Sequence, residues 1–191
     1  MTGTIAIGKR GGGNRLRPYV WGTAACLLLL PAVAMRFFPS SGVNWTGSDF
    51  LVMGVMLATA CGLYELGAWR SVNPAYRAAF GLAVLTGFLT VWVNLAVGML
   101  GSENDVLNLM FAGVLFIAAA GALIASLKPR GMALAMLAAA IAQLAAVGVA
   151  LVIGGFDVRE LTFTALFALP WLASAALFRR AAGQQGARAL P

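Results

Sequence analysis

Three side chains able to move a proton or hold a polar guest interrupt long apolar stretches of this sequence: Glu65, Asn94 and Gln143. A carboxylate can trade a proton, and two carboxamides can relay hydrogen bonds between donors and acceptors. Thr86 and Thr90 precede Asn94 at intervals of four, so a helix aligns the three of them, with Gly98, along one face. The chemistry open to such a set is conduction of a proton, an ion or a small polar solute, along a path from Asn94 through Gln143 to Glu65. Helical rise makes each step ~8–10 Å, so water or the threonines must bridge them. Packing is the competing role, because amides and hydroxyls also hydrogen-bond across helix contacts in membranes for ~0.6–2 kcal/mol each. Glu65 has a further alternative: it lies ~6 Å from one end of its stretch, where it can snorkel and pair with Arg70 or Arg77.

The residues that are missing narrow the chemistry further. Histidine is absent, which removes imidazole-ligated haem, His-containing zinc sites and a Ser-His-Asp nucleophile. No lysine falls inside an apolar stretch, so a retinal Schiff base is disfavoured. Gly3, Gly8 and Lys9 imitate the start of a phosphate-binding loop, but Arg10 stands where the magnesium-binding hydroxyl belongs. Asp49, Glu103, Asp105, Asp157 and Glu160 could gather a hard cation, yet their spacing fits no calcium loop. The expectation is no catalytic residue, no cofactor and no metal, hence no enzyme.

Elements of one kind must hold these residues. Of 191 residues 61% are hydrophobic and 10% charged, a composition foreign to soluble domains. Six apolar segments, about 19–38, 49–69, 78–100, 109–127, 132–153 and 161–178, each approach the ~20 residues that cross a bilayer as a helix. None shows the apolar/polar alternation of a barrel strand. The fold class is therefore all-α, an integral membrane bundle of six transmembrane helices in three antiparallel hairpins, with its partner the lipid bilayer.

Charge orients the bundle. Basic residues gather before the first segment, at Arg70/Arg77, at Lys128/Arg130 and after Phe178, while acids gather at the alternate junctions. Short basic loops stay cytoplasmic, which places both termini inside. The same sidedness accounts for the net charge of +7 without nucleic acid, whose recognition needs a continuous basic surface with stacking groups. Residues 1–17 are expected to be a flexible basic cytoplasmic N-terminus, 18–178 the transmembrane domain and 179–191 a basic cytoplasmic tail. Ala32-Val33-Ala34 imitates a signal-cleavage triplet, but the apolar stretch continues through Phe38, which favours a retained span. Asp49, Asp105 and Asp157 each open an even-numbered segment, where a carboxylate caps free N–H groups and complements the helix dipole. The resulting match between DVLNLMF (105–111) and DVRELTF (157–163) follows from shared capping or from a duplicated hairpin. Asn44-Trp45-Thr46 fits a glycosylation acceptor, though an interfacial Trp and a helix start explain it as well. Cys26 and Cys61 fall at matching depths but read as small packing residues rather than a disulfide.

Two further stripes read as packing seams: Gly54, Ala58, Cys61, Gly62 and Glu65 in the second segment, and Ala138, Ala142, Ala146 and Ala150 in the fifth. The elements VNWTGSDF, GLYEL, NPAYRAAFG, VWVNLAVGMLGSENDVLNLMFAGVL and KPRGMALAMLAAAIAQL, with the FRRAA ending, resemble a family of small polytopic bacterial membrane proteins of uncharacterised function. The resemblance covers residues 18–153 and implies a bacterial inner-membrane location; it implies no activity. The functional expectation is a non-enzymatic accessory or self-associating membrane subunit, forming a homo-oligomer or joining another membrane protein. The alternative is a small transporter or channel using Glu65, Gln143 and Asn94.

Overall fold

The computed structural model describes residues 16–188. The basic Lys9, Arg10 and Arg15, the Gly3–Gly8–Lys9 pattern and residues 189–191 lie outside them. The architecture is all-α. Helices α1 (Arg17–Phe37), α2 (Gly47–Arg70), α3 (Pro74–Ala96), α4 (Leu109–Ile124) and α5 (Pro129–Ile153) are followed by α6 (Val158–Leu166) and α7 (Ala168–Arg188). Among the described residues these make six spans long and apolar enough to cross a membrane, the last running through α6 and α7 together. Two compact units divide the chain, Met1–Cys61 and Gly62–Pro191, with the boundary inside α2.

The first unit is a hairpin. Cys61 Sγ meets the Val20 carbonyl, Gly54 faces Leu28, and the Trp45 N–H points at the Met35 sulfur, so the two strands of contact run in opposite directions. Val20, Ala24, Leu28, Ala32 and Met35 are the half-buried face of α1, and no residue of α1 is buried. Thr46 starts α2: Asp49 Oδ2 accepts from its N–H at 2.7 Å and from its hydroxyl at 2.8 Å, one arm of a capping box. The two cysteines form no disulfide, and Cys26 is exposed while Cys61 is buried.

The second unit is a helical bundle whose main contacts are α5 with α7, α4 with α5 and α3 with α7. Antiparallel α3 and α7 are tied at one end by Asn73 Nδ2 to Gln184 Oε1 at 2.9 Å, where Tyr76 also meets Phe178 edge to face. Farther along, the buried Ser174 hydroxyl donates to the Ala79 carbonyl at 2.8 Å. Burial of Ala181 and the Gln184 bond carry α7 well beyond the apolar segment's end at Phe178.

Chain breaks depart from the apolar segments for definable reasons. Helix α3 stops at Ala96 rather than 100, because Gly98 turns left-handed (φ +77) and donates its N–H to the Val93 carbonyl at 3.0 Å. Helix α4 stops before 127: Ser126 (φ 49) and Leu127 (φ 57) turn left-handed ahead of Pro129. That strained corner is held from outside, by the Tyr76 hydroxyl on the Leu127 carbonyl at 2.8 Å and Arg70 on the Ser126 carbonyl. The sixth span breaks at Phe167, since Pro170 lacks the N–H for the Leu166 carbonyl and its ring crowds that group.

The expected seams are redistributed. In α5, Ala146 and Ala150 are buried, but Ala138 is exposed and Ala135 and Ala139 take its place. This helix serves two neighbours, α4 and α7, so its buried surface wraps beyond one stripe. In α2, Cys61 is buried while Ala58 and Gly62 are exposed.

Candidate functional site

The polar stripe of α3 closes on its own backbone. Thr86 donates to the Leu82 carbonyl at 2.7 Å, Thr90 to the Thr86 carbonyl at 2.9 Å, and Asn94 Nδ2 to the Thr90 carbonyl at 2.7 Å. Each bond reaches back four residues, the usual resort of a hydroxyl in an apolar helix. Both threonines are fully buried, whereas Asn94 is half-buried. Asn94 Oδ1 is left without a partner.

Gln143 occupies a different network. Fully buried in α5, it gives Nε2 to the Thr164 carbonyl at 2.9 Å. That carbonyl belongs to the last turn of α6, where helical partners run out. The Thr164 hydroxyl in turn donates to the Met99 carbonyl at 2.7 Å, beyond the end of α3. Gln143 Oε1 and the Nε1 of buried Trp171 have no partner. The ring of Trp171 reaches Gly87 of α3.

Glu65 stands apart from both groups. Its neighbour Tyr64 packs on Gly81, and Gly81 lies ~20 Å of helical rise below Asn94 on α3. Around it, Arg77 caps α2 by donating Nε to the Ser71 carbonyl at 2.7 Å and Nη2 to the Ala68 carbonyl at 2.8 Å. The structure thus brings Thr86, Thr90 and Asn94 onto one face, joins Gln143 to Thr164 and Met99, and leaves Glu65 near the Arg-rich end.

Residues that the spacing of polar groups did not single out do the most bonding. Asn108, the residue immediately before α4, accepts the N–H groups of Met99 and Leu100 at 3.0 Å each on Oδ1. Its Nδ2 donates to the carbonyls of Leu100 at 3.1 Å and Ser102 at 2.7 Å. A side chain at Gly98 would collide with this latch, its Cβ 2.6 Å from the Ser102 carbonyl and 2.9 Å from Asn108 Nδ2. The signal in the sequence was DVLNLMF itself, where Asn108 follows the Asp105 cap by three positions. Asp105 and Asp157 do cap: each accepts a backbone N–H two residues on, at 2.9 and 2.7 Å. Among the described residues no three His, Cys, Asp or Glu side chains gather where a metal could sit.

Chemically, the arrangement locks backbone more than it opens a path. Thr164, Gln143 and Asn108 each satisfy a main-chain group at or beyond a helix end that the bilayer would leave bare, and Ser174 adds a second bond to a carbonyl inside α3. No protein family, curated protein or solved structure matches the chain.

Proposed function

We propose that the protein is a non-enzymatic, self-associating or accessory subunit of a bacterial inner membrane, with both termini cytoplasmic. The observation that carries this reading is α1, none of whose residues is buried. Opposite the face it turns to α2, it presents Gly22, Cys26 and Leu29, all exposed, and nothing lies within 4 Å of a Cβ built at Gly22. Small residues on a free helix face let a second helix approach closely in lipid, where packing rather than hydrophobicity drives association. Thr86, Thr90, Asn94 and Gln143 support it too, each donating to a backbone carbonyl. The lipid-facing surface and the alternating charge of the connections support the location.

Cys26 reports on this association directly. Mild oxidation of native membranes is expected to link two copies through Cys26, with Cys26→Ser abolishing the product and Cys61→Ser leaving it. Gentle extraction should recover a homo-oligomer or a stoichiometric partner. A lone monomer in both experiments would overturn the reading.

Transport is a second reading, supported by three unpartnered buried atoms: the acceptors Asn94 Oδ1 and Gln143 Oε1 and the donor Trp171 Nε1. Each bare group costs ~1–3 kcal/mol, so a polar guest or water would be stabilised there. Under this reading Glu65→Gln and Gln143→Leu abolish a pH-dependent flux in reconstituted vesicles. Flux that survives both changes removes these residues from any pathway.

A further inference from the structure

A groove of about 640 Å³ lies between α5 and α7, and its lining is chemically divided. Leu134, Leu137 and Leu172 wall it over the buried Ala133, and Arg130 and Arg179 are its charged groups. Helices α5 and α7 run antiparallel, since Gln143 meets Thr164 while Leu137 shares the groove with Leu172. Arg130 and Leu137 are two helical turns apart on α5, as are Arg179 and Leu172 on α7, ~10 Å in each case. Both guanidinium groups therefore stand at one end and the leucines at a common depth below them. Arg130 sits in the first turn of α5, at the edge of the apolar span, which is the level of a lipid headgroup.

Among the described residues nothing compensates the charge at that end. None of the six acidic residues of the chain lines the groove, and neither arginine has an ion pair or hydrogen bond among the described residues. Two bare guanidiniums above an apolar trough complement a molecule with an anionic head and an aliphatic tail. Guanidinium holds phosphate oxygens with paired hydrogen bonds, and basic pockets between membrane helices take anionic headgroups. The volume falls in the range of small-molecule sites, ~300–1,000 Å³.

We propose that this groove is a binding site for an anionic glycerophospholipid, its phosphate held between Arg130 and Arg179 and one acyl chain laid along Leu134, Leu137 and Leu172. The site is independent of α1 and of any association through it.

Native mass spectrometry of the full chain in mild detergent tests the assignment, with phosphatidylglycerol and phosphatidylcholine of identical acyl chains as probes. Phosphatidylglycerol adducts should dominate and survive millimolar inorganic phosphate. The double variant Arg130→Gln/Arg179→Gln should weaken them about thirtyfold, the effect of two arginines at a lipid surface. Ala176→Phe, which fills the groove and keeps both charges, should remove them as well, whereas Arg36→Gln should change nothing. Equal binding of phosphatidylcholine, displacement by phosphate, or retention by the double variant would overturn the proposal. So would a dimer that Ala176→Phe dissociates, which would give the groove to a second copy. Unchanged melting of each variant shows that lost adducts reflect lost binding.

Discussion

Asn108→Ala should destabilise the protein by about 3 kcal/mol, among the largest effects of any single polar change in the chain. The side chain serves two N–H groups and two carbonyls of the segment after α3. Leu100 is fully buried and Met99 nearly so, which denies the orphaned groups water. Each bare buried group costs ~1–3 kcal/mol, more than the net gain from making the bond. Asn108→Asp should fall between, because it keeps the acceptor for Met99 and Leu100 and loses the two donated bonds. Asn104→Ala should be silent, since that side chain is exposed and bonds only Glu103. Thermal unfolding in detergent, followed by tryptophan fluorescence, reads the series. An Asn108→Ala protein that melts with the wild type would show that the latch contributes nothing.

Gly121→Ala is expected to destabilise by ~1–3 kcal/mol, through overpacking between α4 and α5. A Cβ at Gly121 would lie 2.6 Å from the Ala135 Cβ and 3.2 Å from its Cα, so backbone must move rather than a flexible side chain. Helix propensity works in the other direction, favouring Ala over Gly by ~1 kcal/mol. Gly113, on the same helix with nothing within 4 Å, isolates that opposing effect. Gly113→Ala should therefore leave the melting temperature unchanged or raise it, while Gly121→Ala lowers it. Adding Ala135→Gly to Gly121→Ala should restore part of the loss, and the double-mutant cycle gives the coupling. Equal effects at positions 113 and 121 would remove the close approach as a determinant of this contact.

The spans were legible because the bilayer imposes a length and an apolarity on each. The apolar segment 19–38 corresponds to Arg17–Phe37, and 132–153 to Pro129–Ile153. Their interruptions were harder to read. Hydrophobicity continues through Leu100, Leu127 and Phe167, so only backbone geometry at Gly98, Ser126 and Pro170 ends or breaks those helices. The fourfold spacing of Thr86, Thr90 and Asn94 foretold a shared face, but not that each would turn back to a carbonyl of its own helix. Gln143 was conspicuous as an amide, whereas its acceptor at Thr164 was not, because the acceptor is a main-chain carbonyl near the end of the next helix, which no side-chain pattern marks. Alanine occupies every face of α5, which left the choice between Ala138 and Ala139 to the positions of α4 and α7.

The two fastenings of the segment after α3 differ in how much chain they enclose. Asn108 grips groups six to nine residues away, whereas Thr164 grips Met99 across 65 residues. Closing a short loop is fast and entropically cheap, so the Asn108 turn is able to set as soon as its own residues have been synthesised. Its partner at Thr164 must await α6. Biogenesis thus has an inbuilt order: a hairpin whose bend is finished early offers a carbonyl that a helix synthesised 65 residues later finds already in place.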